Sequence, residues 1–118
     1  MRDVIQAARA GNHRAALAGQ IFERTVVDYI GQYIAEMGGV DGIIFTAGIG
    51  ENSVSLRAHI VEKLAYLGIE LDAGENSKRG INNIISTPNS NVTVMRIMTD
   101  EEVMIARDVV ALEASQAD

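Results

Sequence analysis

The sequence predicts an α/β fold in which a small mixed sheet packs with long helices, and three observations carry that prediction. A long amphipathic pattern runs from the Gly11-Asn12 break to about Met37. The apolar run Gly42-Ile43-Ile44-Phe45-Thr46 leads straight into a glycine-rich segment and then into a second amphipathic pattern. Two segments of strand character, Ile84-Ile85-Ser86 and Val92 to Ile97, flank the single proline, Pro88. With 118 residues, the chain reads as one domain over 1–118 with one hydrophobic core.

Taken in order, Val4 to Arg9 are good helix formers, and Gly11-Asn12 ends the helix they begin. In the second helix Phe22, Val26, Tyr29, Tyr33 and Met37 recur at helical spacing, and Ile30 and Ile34 widen the stripe into a broad face to be buried. Gly38-Gly39 supplies the glycine that commonly follows a helix C-terminus. Gly42 to Thr46 reads as a buried strand, and Ala47 to Asn52 as a glycine loop. Leu56, Ile60, Val61, Leu64 and Leu67 mark the buried face of a helix reaching about Tyr66. Gly68 to Asp72 reads as a short strand, and the polar stretch Ala73 to Asn83 as an excursion with one helical turn. Thr99 and Glu102 have the spacing of a capping box at the start of the last helix. Val103, Ala106, Val110 and Leu112 give that helix an apolar side, and Glu113 to Asp118 should fray.

Composition narrows the function classes. A hydrophobic content of 47% with 22% charged residues belongs to a folding globular chain. The formal net charge of -6 and the scattered placement of ten Lys and Arg residues argue against nucleic acid as a partner. No apolar run reaches the roughly 20 residues of a membrane-spanning helix, and Met1-Arg2-Asp3-Val4 lacks a signal-peptide core, so the reading is cytoplasmic, with no membrane. The absence of cysteine excludes disulfides and thiolate metal sites, and His13 and His59 alone do not make a zinc site. Both histidines read as solvated.

The chemistry concentrates in the glycine segment. A strand that runs through a glycine loop into a helix aims backbone N–H groups and a positive dipole end at the loop, which favours nucleotide or phosphate. Gly48-Ile49-Gly50-Glu51-Asn52-Ser53 approaches GxGxxG, with Ser53 in place of the last glycine and Glu70 downstream. A dinucleotide (NAD-type) site must therefore be weighed, although Glu51 sets a carboxylate where a pyrophosphate would approach. The plain structural alternative is a tight turn in which Gly48 and Gly50 adopt dihedrals that other residues avoid while Asn52 or Ser53 caps the next helix. Helix-start acids such as Glu101 and Glu102 need only the macrodipole to explain them, yet beside a nucleotide Glu101 could hold Mg²⁺ through its waters.

Beyond these general patterns, Phe45-Thr46-Ala47-Gly48-Ile49-Gly50-Glu51-Asn52-Ser53 resembles the adenosine-binding segment of acetate kinases almost letter for letter. The resemblance extends upstream through Met1-Arg2-Asp3, Gly11-Asn12-His13-Arg14-Ala15 and Tyr29-Ile30-Gly31-Gln32-Tyr33. Downstream it continues through Leu67 to Asp72 and from Thr99-Asp100-Glu101-Glu102 to Ile105-Ala106-Arg107. Met98 departs from it, standing where the family usually has proline.

The resemblance implies a partial actin-like ATPase (ribonuclease H-like) domain, the superfamily of sugar kinases, heat-shock chaperones and actin. It implies that the chain is the C-terminal, nucleotide-binding portion, with the N-terminal domain absent. Gly48, Ile49 and Asn52 would line the adenosine pocket, Arg2 would contact the nucleoside, and Glu101 would be the magnesium-associated glutamate. ATP or ADP and Mg²⁺ are the implied cofactors, and acetate is the acceptor of the complete enzyme, which makes acetyl phosphate. No catalytic residue is assigned within this chain, so the portion alone is expected to be inactive. Family dimers pair through this domain, which implies a homodimer and leaves a non-catalytic dimerisation module as the competing reading.

Overall fold

The computed structural model describes residues 1–116, with side chains described up to Ser115. Six α-helices and three short strands are arranged in the order α1 (Arg2–Arg9), α2 (His13–Met37), β1 (Gly42–Phe45), α3 (Ala47–Asn52), α4 (Val54–Lys63), α5 (Ala73–Ser77), β2 (Asn83–Ile84), β3 (Thr93–Arg96) and α6 (Glu101–Gln116), with a 3₁₀ turn at Ala65–Leu67 after α4. The fold is thus mixed α/β, with most described residues helical. Asn12 opens α2 by accepting from the Ala15 amide at 3.0 Å, and the helix closes on Gly38 in the left-handed region.

The sheet has the order β1-β3-β2, with β1 parallel to β3 (Ile43 opposite Val94, Phe45 opposite Arg96) and β2 antiparallel to β3 (Ile84 opposite Met95). Side chains alternate across it. Ile43, Phe45 and Val94 point into the core with Leu56, Ile60, Val61 and Leu64 of the α4 region, and Ile69, Ile85 and Val92 complete the cluster. Phe22, Val26, Val27 and Ile30 of α2 pack against this cluster.

Several expectations require correction. β1 is buried on one face only: Ile44 is 52% exposed, because the core lies on one side of the sheet. The 68–72 segment makes only a single antiparallel bridge, Leu71 to Ser86, before Asp72 caps α5. The broad face of α2 is covered only in part, since Tyr29, Tyr33 and Met37 are exposed, with the two tyrosine rings stacked at 6.3 Å. Along α6 the expected apolar side is not buried: Val103, Ala106, Val110 and Leu112 are all exposed. The helix extends through Glu113 to Gln116, and the expectation for residues 117–118 lies outside the described residues. These projecting faces give a radius of gyration of 17.7 Å, against about 13 Å for a compact chain of this length.

Two buried arginines organise the side of the sheet that leads to the site. Arg57 is fully buried and has no carboxylate partner among the described residues. Its guanidinium donates to the Gly50 and Glu51 carbonyls, both at 2.8 Å, and to Asn76 Oδ1 and O at 2.7 and 2.8 Å. Arg96 similarly donates to the carbonyls of Lys78 and Ile81 and to Asn83 Oδ1. Gly68 closes the far end of the helical layer: its φ is +73°, and a Cβ there would lie 2.1 Å from Asn91 Nδ2. Replacing Arg57 by Met leaves four buried acceptor interactions unmade, and the expected cost is about 3 kcal/mol. A denaturant midpoint unchanged from wild type would show that the guanidinium is not the strut described.

Candidate functional site

β1 ends at Phe45, Thr46 is extended, and the chain turns at Ala47, whose φ of +57° is unusual for a residue with a side chain. The glycine segment is therefore not a loop. It is the short helix α3, and neither Gly48 nor Gly50 has a positive φ. The expectation of special glycine dihedrals is overturned, because Ala47 makes the turn and leaves both glycines helical. A Cβ at Gly50 would meet Phe45 at ordinary van der Waals distance, and one at Gly48 would meet nothing within 4 Å. The fold itself demands glycine at neither position. Ser53, not Asn52, caps α4 by accepting from the Leu56 amide at 3.3 Å. Asn52 instead donates to the Gly48 carbonyl at 2.7 Å.

Beside α3 lies a cavity of about 790 Å³ lined by Arg2, Ile5 and Arg9 of α1, Gly48, Ile49 and Asn52 of α3, the start of α4, and Arg79. The structure thus brings Arg2, Gly48, Ile49 and Asn52 to one concave surface. Arg9 and Arg79 join them, although nothing in their local sequence marks them as site residues. None of the three guanidinium groups has a hydrogen-bond or carboxylate partner among the described residues. The cavity is consequently cationic in a chain of net charge -6.

Glu101 does not line that cavity. It sits in an adjoining one of about 350 Å³, with Ala47, Gly48, Glu51, Thr99, Asp100 and Glu102. Gly48 lines both cavities. The expected capping box is not formed. Asp100 caps α6, its Oδ1 accepting from the Val103 amide at 3.1 Å, while Thr99 donates from its amide and hydroxyl to Glu51 Oε1 at 2.8 and 3.1 Å. The carboxylates lining this cavity, Glu51, Asp100, Glu101 and Glu102, carry hard oxygen atoms of the kind Mg²⁺ prefers. Among the described residues no three His, Cys, Asp or Glu groups converge as a metal cage. A cation at this position would need water or a bound ligand to complete its oxygen shell. His59 is exposed and pairs with Glu23 at 3.0 Å, and it lines neither of these two cavities.

The acetokinase family profile matches residues 1–107. The chain belongs to the acetokinase family. It is 54% identical over 107 residues to the acetate kinase of Clostridium novyi, covering 91% of this chain and 27% of that protein. To the Bacillus subtilis acetate kinase it is 52% identical over 112 residues, covering 95% and 28%. Among solved structures it superimposes on Porphyromonas gingivalis acetate kinase with a TM-score of 0.82 at 40% identity, over 93% of this chain and 28% of that one. A propionate kinase from Francisella tularensis gives 0.75 at 39% identity, over 89% and 27%. The chain thus spans about a quarter of the length of these acetokinase relatives. Among the described residues no helix is long and apolar enough to cross a membrane.

The Glu51 carboxyl is held below its ordinary value of 4.5, chiefly by the Thr99 amide; desolvation opposes this less strongly, and the Thr99 hydroxyl adds a smaller lowering effect. A depressed carboxyl contributes its stabilisation in full above the ordinary value and loses it as pH falls through the lower folded value. A pH titration of the Thr99 amide resonance should therefore show a midpoint below 4.5. A midpoint at or above that value would mean the carboxylate is not held by Thr99 in solution.

Proposed function

We propose that this chain is the C-terminal, nucleotide-binding portion of an acetate kinase, built on a partial actin-like ATPase (ribonuclease H-like) domain. Arg2, Gly48, Ile49 and Asn52 form the nucleoside seat, and Glu101 is a magnesium-associated carboxylate. The observation that carries this reading is Gly48. Glycine within a helix costs about 1 kcal/mol relative to alanine, and here it is kept where a Cβ would project into open space bordering both cavities. Packing does not require the residue, as it does not at Gly19 and Gly31 of α2, and what sets Gly48 apart is its place on the border of both cavities, where a ligand can approach the backbone closely.

On this reading Arg2 offers a planar guanidinium to stack on the base, and Ile49 offers an apolar surface. Asn52 uses its amide nitrogen within α3 and keeps its carbonyl oxygen for the ligand. Glu101 receives the metal side of ATP or ADP through water. When bound, Mg²⁺ supplies neutralisation of phosphate charge. The complete enzyme transfers the γ-phosphoryl group of ATP in line to acetate, giving acetyl phosphate. The acetate pocket and the groups that act on the transferred phosphoryl lie outside this chain, so the chain alone is inactive. It works in the cytoplasm, and the complete enzyme is a homodimer; an apolar face of α2 with Tyr29, Tyr33 and Met37 exposed is available for pairing. An NAD-type site would want a doubly wound parallel sheet, whereas β2 runs antiparallel to β3.

Calorimetric titration with Mg-ATP and with NAD tests the reading. Saturable Mg-ATP binding is expected, with no NAD binding. Asn52→Ala should weaken Mg-ATP by roughly tenfold, the loss of a hydrogen bond to the ligand. Gly48→Ala should leave the thermal midpoint unchanged or raise it while weakening Mg-ATP. A Gly48→Ala chain that binds as well as wild type would remove the main support for the assignment.

A further inference from the structure

Between β3 and α6 the chain is tied to the body three times in succession. The Ile97 amide donates to the Phe45 carbonyl at 3.0 Å, and the Met98 amide to Asn82 Oδ1 at 2.7 Å. Thr99 then makes its two bonds to Glu51. Every described side chain of α6 beyond that point is exposed, so Glu51 provides the last hold before the helix begins.

The hold is anchored at its other end in the core. The Glu51 carbonyl accepts from the buried Arg57 guanidinium at 2.8 Å, which fixes the backbone from which the Glu51 carboxylate extends. A continuous path therefore runs from Arg57 through Glu51 to Thr99, two residues before Glu101 and joining positions 48 residues apart. Thr99 is drawn away from the capping role its spacing suits, and Asp100 takes that role instead. Four acidic residues, Glu51, Asp100, Glu101 and Glu102, line the small cavity, and their mutual repulsion would push the start of α6 outward. The two Thr99 donors oppose it.

We propose that Glu51 is a positioning residue: by holding the Thr99 amide and hydroxyl, it sets the distance between Gly48 and Glu101, so that metal-bearing nucleotide binds more tightly than metal-free nucleotide. This rests on the nucleotide reading above, and it deepens that reading by separating the nucleoside seat from the metal-side carboxylate and naming the residue that couples them. Glu51 does not touch the nucleotide in this role. Its effect passes through Thr99.

The test is calorimetric titration of the chain with ATP in chelator and with Mg-ATP, together with amide hydrogen exchange of the ligand-free chain. Glu51→Ala should change metal-free ATP affinity by less than about twofold while the magnesium advantage disappears. Exchange at Val103 and Met104 should rise by roughly tenfold as the first turn of α6 is released. Glu51→Gln keeps an amide oxygen for Thr99 and should restore most of both properties. Equal weakening of metal-free and metal-bound ATP would place Glu51 in the nucleoside seat and overturn the proposal, as would unchanged exchange at the start of α6. Binding of wild-type chain to neither form would overturn the nucleotide reading itself, and the proposal with it. Wild-type binding without a magnesium advantage would overturn the proposal while leaving the nucleoside seat standing.

Discussion

A guanidinium sealed inside the protein without a carboxylate beside it is the constraint on which the site depends. Burial pushes Arg57 down from its ordinary pKa, and the neighbouring Arg96 and Arg79 charges push in the same direction. An arginine starts so far above neutrality that it stays charged. The charge must then be met by hydrogen bonds, and Arg57 meets it with the carbonyls of Gly50, Glu51 and Asn76 and with the Asn76 side chain. Asn76 in turn donates to the Val54 carbonyl at 3.1 Å. One side chain therefore fixes α3, α4 and α5 relative to each other, in a short element that could not hold its shape alone. Arg96 repeats the device for residues 78–83, and together the two explain how a polar excursion with little apolar content keeps a defined path beside the cavity.

The site inherits its polarity from this arrangement. Arg2 and Arg9 come from α1 and Arg79 from the pinned excursion, so one cavity is cationic; α3 and the start of α6 supply the acids of the other. Gly48 stands where the two meet. On the proposed reading, an anionic ligand spanning both would meet guanidinium groups at one end and carboxylates bridged by a hydrated cation at the other. The uncovered faces belong to the same picture. The exposed side of β1, the C-terminal half of α2 and the whole of α6 carry apolar residues, and the chain spans about a quarter of the length of its acetate kinase relatives.

Much of the secondary structure was legible because periodicity is local. The stripes of α2 and α4, the Gly38 stop and the strand before the glycine segment all follow from residues within a few turns of each other. Periodicity reports which side chains favour burial, but not whether anything covers them, which is why α6 and Ile44 were expected inside and lie outside. The glycine segment was legible as chemistry and not as shape: Ala47 takes the left-handed conformation that glycine was expected to take, and the segment becomes a helix. Arg57 gave no signal, since an arginine on a helix is ordinarily solvated and only tertiary packing makes it a strut. The Glu51 and Thr99 pair was equally hidden, because bonds between distant positions leave no local pattern; the capping-box spacing of Thr99 pointed to a different partner.

The central claim is that α3 and the start of α1 form a nucleoside seat within this chain. It is tested most directly by titrating isotope-labelled chain with Mg-ADP and following backbone amide shifts residue by residue. The predicted result is saturable change centred on Arg2, Gly48, Ile49 and Asn52, with a second group at Thr99 to Glu101. Shifts absent at saturating ligand in a folded chain, or centred instead on the exposed faces of α2 and α6, would contradict it.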